Sequence, residues 1–253
     1  MPAASVAAIY RYPVKGLSPE PLPRVLLAVG ETIPFDGAYA IANGATPFDP
    51  AAPRTIPKAF FLMLMKNERL AALRTRFDEA DQRLTIAENG AVVAEGRLDT
   101  AAGRTALEAY FNRAFRDELR APARILSAPG HSFSDTAAKA VSLINLATVR
   151  AIAETIGQLV DPLRFRGNLL IDGLPAWSEF GWVARRVRVG GAVLAGLARI
   201  DRCAATNVDP ATGARDLAIS GSLEAAYGHH DCGIYLTVVE GGAVAVGDAV
   251  NAG

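Results

Sequence analysis

The sequence predicts a mainly β fold with some α, arranged as two units. Short apolar runs recur along the chain, each bounded by Gly, Pro, Asn or Asp, as expected of strands joined by turns. Residues 104–119 change to three- and four-residue apolar steps, the period of an amphipathic helix. The chain then closes on GIYLTVVEGGAVAV, two β-rich runs around a Gly-Gly pair.

Residues 5–12 alternate loosely and carry Val, Ile and Tyr, which suits a first strand. The following PVKGLSPEPLP is a loop, because Pro lacks a donor and fixes φ; such a loop can present Lys15 to a ligand. RVLLAV at 24–29 and AYAIA at 38–42 read as short strands, and FFLMLM at 60–65, with no polar helical face, as a buried strand. From 69 to 98 the pattern is strand, turn, strand, turn, strand, with Asn89-Gly90 as the sharpest hairpin signal. These strands predict a barrel or sandwich for the first part of the chain. The helix of 104–119 aligns Leu107, Tyr110, Phe111, Phe115 and Leu119, and Pro122 stops it. A boundary here divides the chain into 1–120 and 121–253. In the second unit, 123–127 reads as a strand and 140–157 as a strand or tight turn passing into a helix, with Asn145 as its cap. A strand follows at 168–172. A hairpin over Gly190-Gly191 sets Val187 and Val189 against Arg186 and Arg188, and the closing pair turns at Gly241-Gly242.

The chain has 253 residues and half of them are apolar, enough for a sizeable core. No apolar run reaches membrane-span length, and VLLAVG is too short and lacks the basic leader of a secretion signal. Lys plus Arg and Asp plus Glu are 26 each, which argues against nucleic acid as a bulk partner and leaves room for a local basic pocket. Two cysteines are too few for a disulfide framework, so a cytoplasmic protein is expected.

The chemistry concentrates between Arg164 and Pro210. Cys203 is adjacent to Arg202, with Arg199 four residues back; a thiolate is a nucleophile and soft metal ligand, and neighbouring positive charge favours it. Arg164, Arg166 and Asn168 would share one face of an extended strand, where two guanidinium forks and an amide could grip an anion. The alternative is three solvated residues on an edge strand. A single thiolate cannot hold zinc, and His229, His230, Asp231 and Cys232 are not spaced as a zinc knuckle. His131, Ser132, Ser134 and Asp135 are read as a capping loop rather than a hydrolase triad, since no G-x-S-x-G elbow accompanies them. Trp177, Glu179 and Trp182 are assigned to packing.

YPVKG at 12–16, RFRGN at 164–168, the Asp-Gly-x-Pro-x-Trp-x-Glu run at 172–179, Arg-Cys-x-x-Thr-x-Val-Asp-Pro-x-Thr-Gly at 202–213 and the closing GIYLTVVEGG together resemble MOSC proteins with an N-terminal MOSC β-barrel domain. The amidoxime-reducing component belongs to that group. The resemblance implies a MOSC β-barrel beside a smaller N-terminal β-barrel-like domain, and a molybdenum cofactor of the molybdopterin type with Cys203 as the protein ligand to the metal. It maps cofactor contacts onto Lys15, Arg166, Asn168 and Arg202, and onto Asn145 and Thr148 near the metal. Lys66 is the nearest basic candidate for a family arginine of the first domain. Gly16 stands where the family often has Ser, and Gly167 where it often has Pro. A ferredoxin-like extension is not seen, so electrons would come from a separate donor protein.

The reading that follows is a molybdenum-dependent oxidoreductase acting on a small N-oxygenated substrate. A sulfur carrier using a Cys203 persulfide and a non-catalytic pterin-binding module with Cys203 buried are the alternatives. Pyridoxal phosphate is not expected.

Overall fold

The computed structural model describes residues 4–252. Its strands, in chain order, are β1 (Ser5–Arg11), β2 (Glu20–Leu22), β3 (Arg24–Leu27), β4 (Ala40–Ala42), β5 (Arg74–Asp78), β6 (Arg83–Glu88), β7 (Ala91–Arg97), β8 (Arg124–Leu126), β9 (Val141–Asn145), β10 (Leu169–Asp172), β11 (Arg186–Val189), β12 (Ala192–Asp201), β13 (Asp231–Glu240), β14 (Gly242–Ala245) and β15 (Val250–Ala252). The helices are α1 (Ala101–Ala114), α2 (Leu146–Ile156) and α3 (Ile219–Tyr227). The mainly β reading with some α describes this architecture.

Eight strands make one sheet in the order β15-β11-β12-β13-β9-β10-β1-β2, with β9 and β10 parallel. That crossover is made by α2, whose N-cap Asn145 accepts a bond from the Ala147 amide and whose C-cap Gly157 is left-handed. The sheet curls back on itself. Val6 N donates to the Asp248 carbonyl, Gly247 N to that of Val6, and Val250 N to that of Ala4. These contacts bring β1 against the segment leading into β15 and curl the sheet around one core, in which Val6, Leu143, Leu169, Leu194 and Leu236 are all buried.

A second core lies within residues 14–125, where the meander β5-β6-β7 packs on α1 around Leu84, Ile86, Phe111 and Phe115. Strands β1 and β2 sit in the large sheet and β3 pairs with β14, so the chain up to Leu27 packs with the second half. Two local expectations are corrected here. FFLMLM is buried at Phe61, Leu62 and Met63 but is not a strand. Leu62 N bonds to Ile41, and a turn closes from Lys66 N to Met63 O. Nor do Gly241 and Gly242 turn a hairpin: β14 departs from β13 and pairs antiparallel with β3. In both cases distant partners, invisible in the local pattern, decide the shape.

Candidate functional site

Strand β12 ends at Asp201 and releases the chain into a short 3-10 turn, Ala204–Asn207, with Cys203 at its N-cap. The Cys203 carbonyl accepts from the Thr206 amide at 3.1 Å and hydroxyl at 3.0 Å, which fixes the backbone under the thiol. The side chain of Arg164 braces this turn from below: it donates to the Asn207 carbonyl at 3.2 Å and pairs with Asp209 and Asp216 at 3.2 and 2.8 Å. Cys203 is thus held at the wall of a cleft of about 500 Å³, half-buried, its side chain free of any disulfide.

Charge is distributed unevenly here. The cleft is lined by Lys15, Lys58, Arg164, Arg166, Arg199 and Arg202 against Asp36, Asp135 and Asp201, although the whole chain is balanced. Lys15 reaches in from the loop after β1 and donates to the Phe133 carbonyl at 2.8 Å and to Asp135 at 2.5 Å. Lys58 lies 3.6 Å from the other Asp135 oxygen and beside the Cys203 sulfur; burial works against its charge, but Asp135 and Cys203 outweigh that and hold the ammonium above the usual lysine range. Arg166 stacks on the Tyr12 ring, 4.1 Å from its centre, and donates to the Leu17 carbonyl. Burial pushes the guanidinium of Arg166, and that of Arg202, down from the ordinary arginine range. The Asp36 carboxyl, also in the cleft, is pushed up to about 6 by burial, despite the Tyr12 amide that donates to it and the nearby Arg166.

Several expected contributors do other work. Arg164, Arg166 and Asn168 do not share a strand face. Pro162–Phe165 is a 3-10 turn and Arg166 is left-handed at φ 49°, so the two arginines diverge, Arg166 towards Leu17 and Arg164 towards the Cys203 turn. Arg202 spends its guanidinium on the Cys232 and Phe165 carbonyls at 2.6–2.8 Å and so ties β12, β13 and the 164–168 turn together behind Cys203. Asn168 lines the cleft, but its oxygen takes the Ser142 amide and hydroxyl and its nitrogen the Tyr10 carbonyl. Asn145 and Thr148 lie outside the cleft lining: both are fully buried and bond to Glu179 at 2.8–3.1 Å. Lys66 is exposed and also lies outside the lining, which Lys58 joins. Lys58 follows Pro57 in an irregular loop, and no local pattern marks it.

The second cysteine is sealed, its thiol pushed up to about 12 by burial. His229 packs among Trp177, Phe180 and Tyr227. Among the described residues no three His, Cys, Asp or Glu side chains converge to hold a metal ion. The two departures from the family pattern have local causes. Gly16 is left-handed at φ 84°, where Ser would be strained, and a Cβ there would sit 3.3 Å from the Leu62 carbonyl. At Gly167 a Cβ would lie 2.3 Å from the Ile144 side chain, which leaves no room for Pro.

A family model described as MOSC domain matches residues 129–251. Among solved structures, the YuaD protein from Bacillus subtilis is similar over 98% of this chain and 94% of its own, with 13% identity and a TM-score of 0.46. YiiM from Geobacillus stearothermophilus is similar over 45% of this chain and 53% of its own, with 13% identity and a TM-score of 0.36. No curated protein matches the chain.

Proposed function

We propose, from the match of residues 129–251 to the MOSC domain, a family associated with the molybdenum cofactor, that the cleft receives a molybdopterin-type cofactor with Cys203 as protein ligand to the metal. We read the chain as a molybdenum-dependent oxidoreductase that reduces N-oxygenated compounds. The observation that carries this is the half-buried Cys203 on the wall of a cleft with six basic and three acidic lining side chains, in a chain whose charges balance as a whole.

The donor set suits such a group. A cysteine sulfur is a soft ligand, able to complete a metal whose other sulfurs come from the pterin. Lys15 and Lys58 present ammonium groups to a phosphate, and Arg166 adds a guanidinium held flat on Tyr12. Arg202 and Arg164 act from behind, fixing the backbone that carries Cys203. When bound, the cofactor would supply two-electron chemistry at an oxygen atom. Removing oxygen from an N-hydroxylated substrate takes two electrons and two protons and releases water. A separate donor protein would provide the electrons. Asp36, pushed up to about 6, can hold and release a proton in the cleft close to neutral pH.

Metal analysis of protein made in a cofactor-competent host is the test. Stoichiometric molybdenum in the wild type and background levels in Cys203→Ser are expected; background molybdenum in folded wild type would refute the proposal. The persulfide reading also draws on the Lys58 ammonium beside the sulfur. It is distinguished by intact mass: a gain of one sulfur on loading, absent in Cys203→Ser. The module reading with a buried cysteine is disfavoured by the partial exposure of Cys203.

A further inference from the structure

Lys15 and Lys58 share a carboxylate. One Asp135 oxygen is 2.5 Å from Lys15 and the other 3.6 Å from Lys58, and the ion pairs and hydrogen bonds of the described residues give that carboxylate no other partner. Other carboxylates of this region are retained by backbone. Asp209 accepts from the Ala211 and Thr212 amides, and Asp36 from the Tyr12 amide. Asp135 has no such tether. Its side chain is 47% exposed, and it lies in a stretch, residues 127–140, without helix or strand.

The lysine side of the contact is built differently. Lys15 also donates to the Phe133 carbonyl at 2.8 Å, and Phe133 is buried, packed on Phe48 and Phe61, with its amide on the Gly37 carbonyl at 2.7 Å. Lys15 therefore keeps one fixed acceptor when Asp135 leaves. An ammonium has three donors, so a place remains for a new anion.

We infer that Asp135 is a displaceable internal counter-anion, which holds the two cleft lysines until the phosphate of an incoming ligand takes them and so sets the affinity for phosphate-bearing ligands. The inference rests on the reading that the cleft receives a phosphate-bearing group, and it adds what binding must undo. One carboxylate leaves the lysine pair with a surplus positive charge. A phosphate brings close to two negative charges and three acceptor oxygens, enough to outcompete a single untethered carboxylate. The displaced Asp135 would then be repelled by the bound phosphate, and the 134–137 stretch would lose its ion pairs to the two lysines.

The test uses protein purified without cofactor, with inorganic phosphate as the probe, titrated by calorimetry at fixed pH and ionic strength. Asp135→Asn, close in shape, should bind phosphate about tenfold tighter than wild type. Asp135→Ser should do the same, which guards against an effect of the amide. Adding Lys15→Met to Asp135→Asn should abolish the gain. In wild type, phosphate should raise hydrogen exchange over residues 134–137, while the 141–145 strand stays protected. Unchanged or weaker binding in both folded Asp135 variants would overturn the inference, since the carboxylate would then be organising the lysines rather than competing for them. Absence of phosphate binding in wild type and both variants would overturn it too. Neither result touches the molybdenum content of Cys203→Ser, so the two readings fail separately.

Discussion

Two polar clusters lie in this domain and differ in what they leave undone. The cluster of Asn145, Thr148 and Glu179 is sealed, all three being fully buried. Thr148 both donates to Glu179 and accepts the Trp177 amide, and Asn145 bonds Glu179 and the Pro175 carbonyl. Burial raises the Glu179 carboxyl, and those bonds oppose the rise. The cleft around Cys203 is open, carries more positive than negative groups, and has one carboxylate held only by lysines. The sealed cluster binds α2 to the 172–182 segment; the open one has charge left over for something else. Polar residues of one chain thus divide between holding the fold and serving a ligand, according to whether their partners already satisfy them.

The sharpest break between the two clusters is Cys203→Ser, which should take molybdenum to background with stability little changed; Thr148→Val should do the reverse. That change strips two bonds from a buried network and should cost about 3 kcal/mol in urea unfolding, with phosphate affinity of the folded protein intact. A large loss of phosphate binding in Thr148→Val would erase the distinction.

Next in size is the pH dependence of the cleft. Asp36 is pushed up to about 6 in the fold, so between about pH 4 and 6 the folded state binds a proton that the unfolded state releases. Stability from this group therefore falls as pH rises through that window, and the full cost is present above it. Asp36→Asn should melt higher than wild type at pH 8, by about 2 kcal/mol in stability, and match it near pH 4. The Tyr12 amide keeps an acceptor in the variant. A constant gap at both pH values would show that titration is not the cause.

Smaller again, Lys58→Met should weaken phosphate binding about tenfold, while Lys66→Met should leave it unchanged. Equal effects would mean that the cleft acts as a diffuse field rather than through placed ammonium groups. Gly16→Ser is expected to cost about 1 kcal/mol in thermal unfolding without improving phosphate affinity, because the left-handed backbone excludes the side chain before its hydroxyl can help.

Much of this was legible in the chain. Alternation marks β1 and the β11–β12 hairpin, and Asn145 is the helix cap that its position suggested. Motif order pointed to Cys203, Arg166 and Lys15, all of which line the cleft. What local pattern could not show depends on long-range partners. Spacing put Arg164 beside Arg166 on an extended face, yet the 3-10 turn over Pro162–Phe165, the left-handed backbone of Arg166 itself and two aspartates downstream sent them apart. Lys58 has no motif, and only the folding of its loop across the cleft brings it to Cys203. FFLMLM was read correctly as buried and wrongly as extended, because its hydrogen bonds go to Ile41 and its own turn.

The barrel seam has a consequence for how the molecule is made. Val6 and its neighbours are stitched to residues 247–250, so the first strand waits for the last segment before the cylinder can close. Lys15 emerges from the ribosome long before Cys203, so the wall they share waits for the later segment. A nascent chain therefore has no receptacle to fill until the residues through Tyr235 have been made and folded.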